Sequence, residues 1–98
     1  MVGRVFTLQV KPGRMDEFVR TWNQQMLPAA ESQPGWLSGR LLVDRASGKV
    51  LIVGIWASEG EATAGGPGSL CANRQRDLIG DMVTGTPVIE TLEVAGES

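Results

Sequence analysis

This sequence offers few side chains for catalysis. It contains no histidine and one cysteine, Cys71. That removes a Ser-His-Asp or Cys-His relay, a histidine-ligated zinc or haem, and imidazole as a general base. Cys71 falls on the expected inner side of a helix with nothing to activate it, so packing is the preferred reading over a nucleophile. Carboxylates are the remaining metal ligands, and none cluster at a ligand spacing, so no metal site is expected. The adjacent acids Asp16 and Glu17 are explained by a helix start, where negative charge suits the dipole. Gly65-Gly66-Pro67-Gly68-Ser69 precedes a helix as a phosphate loop would, but it lacks a lysine and an immediately preceding strand. A lid over a pocket, or a permissive surface loop, explains it as well. Arg40 stands among apolar neighbours on a strand, and is read as one half of an ion pair across a dimer or as a polar lining.

The hydrophobic pattern predicts the elements that position these groups. Val2 to Val10 alternates loosely and stops at Lys11-Pro12-Gly13, which marks a first strand. From Arg14 the period changes: Met15, Phe18, Val19, Trp22 and Met26 fall at helical spacing as far as about Leu27. Pro28 marks the expected boundary, with a kinked turn able to persist through Ala29 to Ser32. After Gln33-Pro34-Gly35, Trp36 to Asp44 reads as a strand with Leu37, Leu41 and Val43 on one face and Trp36, Ser38, Arg40 and Leu42 on the other. Arg45 to Gly48 connects it as a hairpin to Lys49 to Trp56. Ser58 to Ser69 is small, acidic and glycine-rich, and is read as a partly mobile connection. Leu70 to Val83 resumes helical spacing, with Ser69 as N-cap and Cys71, Leu78, Ile79, Met82 and Val83 inward. Gly85-Thr86-Pro87 is expected to end that helix, and Val88 to Val94 to form the last strand before a polar tail.

Strand, helix, strand, strand, helix, strand is the order of a ferredoxin-like α+β subunit: one four-stranded antiparallel sheet with its helices on one face. Residues 1–98 then make a single domain. The run Val50-Leu51-Ile52-Val53-Gly54-Ile55-Trp56 has no polar alternate, so both faces of this strand are expected to be covered. The helices cover only one, and a second copy of the chain is the simplest cover for the other. Burying several hundred Å² of apolar sheet at roughly 25 cal/mol per Å² is worth on the order of 10 kcal/mol before ordering costs, enough to hold a homodimer.

Composition excludes other classes. Hydrophobic residues make up 42% and charged residues 20%, as in ordinary globular proteins. A net charge of −2, with nine Lys and Arg spread along the chain, gives no basic footprint for nucleic acid or an anionic membrane. No segment is long enough to span a bilayer, the N-terminus enters strand-like sequence directly, and the lone cysteine suits a reducing compartment. A cytoplasmic protein is the expectation.

Three short pieces in this order carry a family resemblance: Val10-Lys11-Pro12-Gly13-Arg14-Met15-Asp16-Glu17-Phe18, then Pro34-Gly35-Trp36-Leu37-Ser38-Gly39, then Ser47-Gly48-Lys49 leading into Ile55-Trp56-Ala57-Ser58-Glu59. In them the chain resembles the antibiotic biosynthesis monooxygenases, small dimeric α/β barrels with ferredoxin-like subunits. The resemblance implies a cofactor-free enzyme that oxidises an aromatic, polyketide-like molecule with molecular oxygen in a pocket between sheet and helices. The substrate supplies its own electrons as a resonance-stabilised carbanion. The protein then has to deprotonate, stabilise an oxyanion and exclude water.

By position the resemblance gives the catalytic tryptophan to Trp56 and the helix arginine to Arg76. Phe6, Trp22 and Ile52 are the candidate substrate-binding side chains. Ile52 occupies the asparagine position of the quinone-forming members, and about Ala62 that of their tyrosine. Each residue also has a plainer reading: Trp56 as core, Trp22 and Trp36 as core or dimer packing, Arg76 as a surface cation beside Asp77 and Asp81. The alternative function is a non-catalytic homodimer that binds a small apolar ligand or serves as a structural barrel. A closed, polar-lined pocket touching Trp56 would favour the enzyme; a space filled by side chains would leave only packing.

Overall fold

The computed structural model describes residues 1–65 and 70–98, the side chains of residues 70–72 excepted. The lid or surface-loop reading of Gly66 to Gly68, the N-cap expectation for Ser69 and that for the Cys71 thiol lie outside the described residues. Four strands, β1 (Val2–Val10), β2 (Trp36–Asp44), β3 (Lys49–Trp56) and β4 (Val83–Glu93), form one antiparallel sheet in the order β2-β3-β1-β4. This is the expected ferredoxin-like α+β arrangement. Period-two alternation turns Leu8 and Val10 of β1 and Val50 and Ile52 of β3 to the helix side. There they meet Phe18, Trp22, Met26, Ile79 and Met82 in a single core, with Phe18 and Val50 wholly buried.

The first helical stretch is α1 (Met15–Thr21), a wide π turn (Trp22–Met26) and α2 (Leu27–Glu31). Its helical turns continue past Pro28 to Glu31, the irregular continuation that the sequence allowed. A proline ring collides with the carbonyl four residues back and has no N–H to offer it. In the π turn the Leu27 N–H instead reaches the Trp22 carbonyl, and the wider winding accommodates Pro28 without ending the helix.

Three departures from expectation have local causes. The ladder between β2 and β3 slips between Trp36 and Ser38, so Trp36 pairs with Trp56 and turns to the helix side with Gly39 and Leu41. The simple alternation that set Trp36 beside Ser38, Arg40 and Leu42 fails at this bulge. Leu37 is thereby left exposed. Within the segment expected to be partly mobile, Glu59–Ala64 forms α3: the Ser58 Oγ accepts the Glu61 N–H at 3.2 Å and donates to Glu61 Oε1 at 3.0 Å, so Ser58 caps the helix start.

The last helix, α4 (Leu70–Ile79), is shorter than expected. Gly80 follows it, the Met82 N–H donates to the Ile79 carbonyl at 2.9 Å, and the Lys11 N–H reaches the Met82 carbonyl at 2.9 Å. Val83 therefore joins the sheet opposite Val10, and Gly85-Thr86-Pro87 lies inside β4 where the β1 register is irregular. β4 is an edge strand, where a proline without an N–H is tolerated.

The sheet face away from the helices is apolar. Leu51, Val53 and Ile55 are half-buried on it, while Leu42, Val88 and Leu92 are exposed. Arg40 lies among them, exposed, and among the described residues donates only to the neighbouring Gly39 carbonyl at 2.9 Å.

Candidate active site

Between the sheet and the helices lies a cavity of about 350 Å³, the size range of small-ligand sites. All five residues singled out for a site, Phe6, Trp22, Ile52, Trp56 and Arg76, line it. Phe6 and Ile52 face each other across β1 and β3 and make its floor. The π turn sets Trp22 and Met26 over that floor, and α4 supplies Arg76 and Ile79 from the far side. Most of this wall is apolar. Phe6 and Ile52 pack partly into the core, so wall and core are continuous.

Trp56 closes one end. Its ring meets that of Trp36 edge-on, with centroids 5.3 Å apart and planes at 90°. Trp36 fits there because the sheet beneath is bare: a Cβ on Gly39 would lie 2.5 Å from its ring, and one on Gly54 2.8 Å. No wholly buried side-chain nitrogen or oxygen among the described residues lacks a partner. The indole N–H of Trp56 has no acceptor among them, so it keeps a reachable surface although the residue is only 5% exposed. Trp56 is also one of the residues lining the cavity. Trp36, read as core or dimer packing, turns out to be a cavity wall.

Two guanidinium groups enter the same space, and no carboxylate lines it. Arg76 is exposed at the mouth, where its Nη2 donates to Asn73 Oδ1 at 2.9 Å. Arg4 is buried, with 8% of its surface exposed. Its Nη1 donates to the Ala62 carbonyl at 2.7 Å and its Nε to Thr91 Oγ1 at 3.3 Å. Ala62, the position the resemblance gives to tyrosine, is itself wholly buried. Sequence reasoning missed Arg4 although a signal was there: Arg4 is in phase with Phe6, Leu8 and Val10, the inward residues of β1.

The displaced carboxyls lie elsewhere. Glu17 is held below its ordinary pKa by the hydrogen bond from Arg14, 2.7 Å away, and Asp16 pairs with Arg45 at 2.6 Å. Both acids are thus accounted for structurally. Among the described residues no cluster of three or more metal-ligating side chains occurs, and no helix is long and apolar enough to cross a membrane.

The model of the antibiotic biosynthesis monooxygenase family matches residues 1–64, about two-thirds of the chain. This chain belongs to the antibiotic biosynthesis monooxygenase family. Solved members and look-alikes share its fold over nearly their whole length. A Caulobacter crescentus protein that carries the family name is 25% identical, with a TM-score of 0.79, and the match covers 97% of this chain and 90% of that one. A monooxygenase from Streptomyces coelicolor, solved with the ligand nanaomycin D, is 17% identical with a TM-score of 0.82, covering 99% and 89%. A Nitrosomonas europaea protein of unknown function is 16% identical with a TM-score of 0.79, covering 99% and 91%. No curated protein matches the chain.

Proposed function

We propose that this family member is a cofactor-free monooxygenase that oxidises a flat aromatic, polyketide-like molecule with molecular oxygen. The observation that carries the reading is the unfilled cavity at Trp56: its wall is largely apolar rather than the polar lining expected of an enzyme, but Trp56 and two guanidinium groups border it. Family membership and the nanaomycin complex of the Streptomyces coelicolor look-alike support it. Phe6, Trp22 and Ile52 sandwich the rings. Trp56 donates its N–H to a substrate oxygen, and Arg76 neutralises the charge on that oxygen.

The positive field of two guanidiniums favours ionisation of a phenol or enol, so the substrate reaches its reactive anion without a carboxylate or imidazole beside it. The anion's electrons reduce oxygen. For an anthrone, the ring methylene becomes a carbonyl; one atom of O2 forms the new C=O and the other leaves as water with the two methylene hydrogens. The apolar walls keep bulk water from the carbanion.

Oxygen uptake with a panel of anthrones and hydroquinones tests this directly. At least one substrate should be consumed above its uncatalysed rate, with Trp56→Phe and Arg76→Ala each lowering kcat/KM by roughly 10–100-fold. No uptake above background with any substrate defeats the proposal.

A second reading is favoured by one observation. Ile52 and Ala62 stand where the resemblance places asparagine and tyrosine, which leaves those two positions without a polar side chain. A non-catalytic binder of a small aromatic molecule would take up the same ligands without consuming oxygen.

We also propose that a second copy covers the outer sheet face. Match lengths of 89% or more of these look-alikes leave them no substantial extra domain to do so. The exposed Leu42, Val88 and Leu92 supply an apolar patch on that face suited to self-association.

A further inference from the structure

We propose that Arg4 is an anion-binding residue of the cavity and that the occupant it selects is a planar aromatic carboxylate. A guanidinium has five N–H donors. In Arg4 one on Nε goes to Thr91 and one on Nη1 to the Ala62 carbonyl, which leaves one on Nη1 and both on Nη2 without an acceptor among the described residues. The three ion pairs among those residues involve Arg14 and Arg45, never Arg4. The segment 66–72, Gly-Pro-Gly-Ser-Leu-Cys-Ala, contains no acid that could serve instead.

A buried cation without a countercharge is costly, and proteins normally pair it. Here the side chain is more than nine-tenths buried, yet no wholly buried nitrogen or oxygen is left without a partner. The unused Nη2 therefore retains accessible surface, and Arg4 lines the cavity. The two bonds already made hold the guanidinium in place, so little ordering is required when a ligand arrives.

Free donors on both terminal nitrogens suit a carboxylate, which accepts from two N–H groups side by side. Trp56, Phe6 and Ile52 border the same floor and fit a flat ring attached to that carboxylate. Arg76, at the mouth, is the other cation of the wall. The inference rests on reading the cavity as a ligand site and names the substrate class of the proposed enzyme; it does not depend on oxygen chemistry.

Isothermal titration of the full chain with 2-naphthoate and with its neutral isostere 2-naphthamide tests it. The wild type should bind naphthoate about tenfold tighter or better. Arg4→Gln should reduce that preference to below about twofold, and Arg4→Lys should restore part of it. Arg76→Gln should keep most of it. Equal binding of the two probes by the wild type, or binding of neither, overturns the proposal, as does an undiminished preference in Arg4→Gln. Should Arg4→Gln lose its cooperative melt, Arg76→Gln decides. A preference abolished there puts the anion at the mouth and refutes the assignment, whereas one retained leaves Arg4 as its source. Anion preference without oxygen uptake would sink the oxygenase reading and leave this one standing. Uptake with a neutral anthrone and no anion preference would do the reverse.

Discussion

Arg4 and Arg14 carry the same guanidinium into opposite circumstances. Arg14 lies near the surface with Glu17 at 2.7 Å and Asp81 at 3.6 Å, while Arg4 sits inside with, among the described residues, a carbonyl and a hydroxyl as its partners. For Arg14 the neighbours shape acid stability. Its hydrogen bond lowers the Glu17 pKa below the ordinary 4.5, and Asp44 is lowered by the Ala46 N–H first and then by Ser47. A carboxyl whose folded pKa is depressed binds its proton more weakly folded than unfolded, so its contribution is complete above the unfolded value and disappears as pH falls through the folded one. Thermal melts should therefore hold steady through neutral pH and begin to drop below about pH 4.5. Glu17→Gln with Asp44→Asn should flatten that drop modestly, since both groups are exposed and screened. An unchanged slope in the double variant would show that other carboxyls set the acid limit.

At the scale of elements, short local signals decide where the chain departs from a simple periodic reading. Ser58-Glu59-Gly60-Glu61 has the spacing of a capping box, and replacing Ser58 by alanine removes the side chain that accepts the Glu61 N–H. Ser58→Ala should cost about 1 kcal/mol, measured by urea denaturation. It should also loosen the Arg4 pocket, because the Ala62 carbonyl that receives Arg4 belongs to α3. Most of the sheet was legible beforehand: β1, β2 and β3 begin and end where the breakers Lys11-Pro12-Gly13, Pro34-Gly35 and Ser47-Gly48 place them. The capping spacing was in the sequence too, but a glycine-rich composition masked it.

What periodicity misses is a change of period. A one-residue slip at Leu37 reverses the face of Trp36, and a π turn carries a helix across Pro28. Neither leaves a trace in hydrophobic spacing, because both depend on what packs above them. For the site, the five residues named from the sequence do meet in one cavity. Arg4 escaped because arginine on a strand reads as a surface residue unless its phase with Phe6 and Leu8 is weighed above its charge.

For the whole molecule the asymmetry of the sheet is decisive. One face is largely covered by α1, the π turn and α4, and the other presents leucine and valine to solvent. A homodimer should sediment at low micromolar concentration with about twice the 10.5 kDa of the chain. Val53→Glu, in the middle of the outer face opposite Val5 and Arg40, should shift it to the monomer. A folded wild-type monomer at that concentration would rule out the second copy as cover.

The chain has three tryptophans and no tyrosine, and Trp22, Trp36 and Trp56 all line the cavity between sheet and helices. Practically every near-ultraviolet photon this protein absorbs is thus captured by the walls of that cavity. Two of those chromophores stand perpendicular at 5.3 Å, close enough to share excitation. The molecule carries its own optical gauge of occupancy, with no label added and no background from elsewhere in the fold.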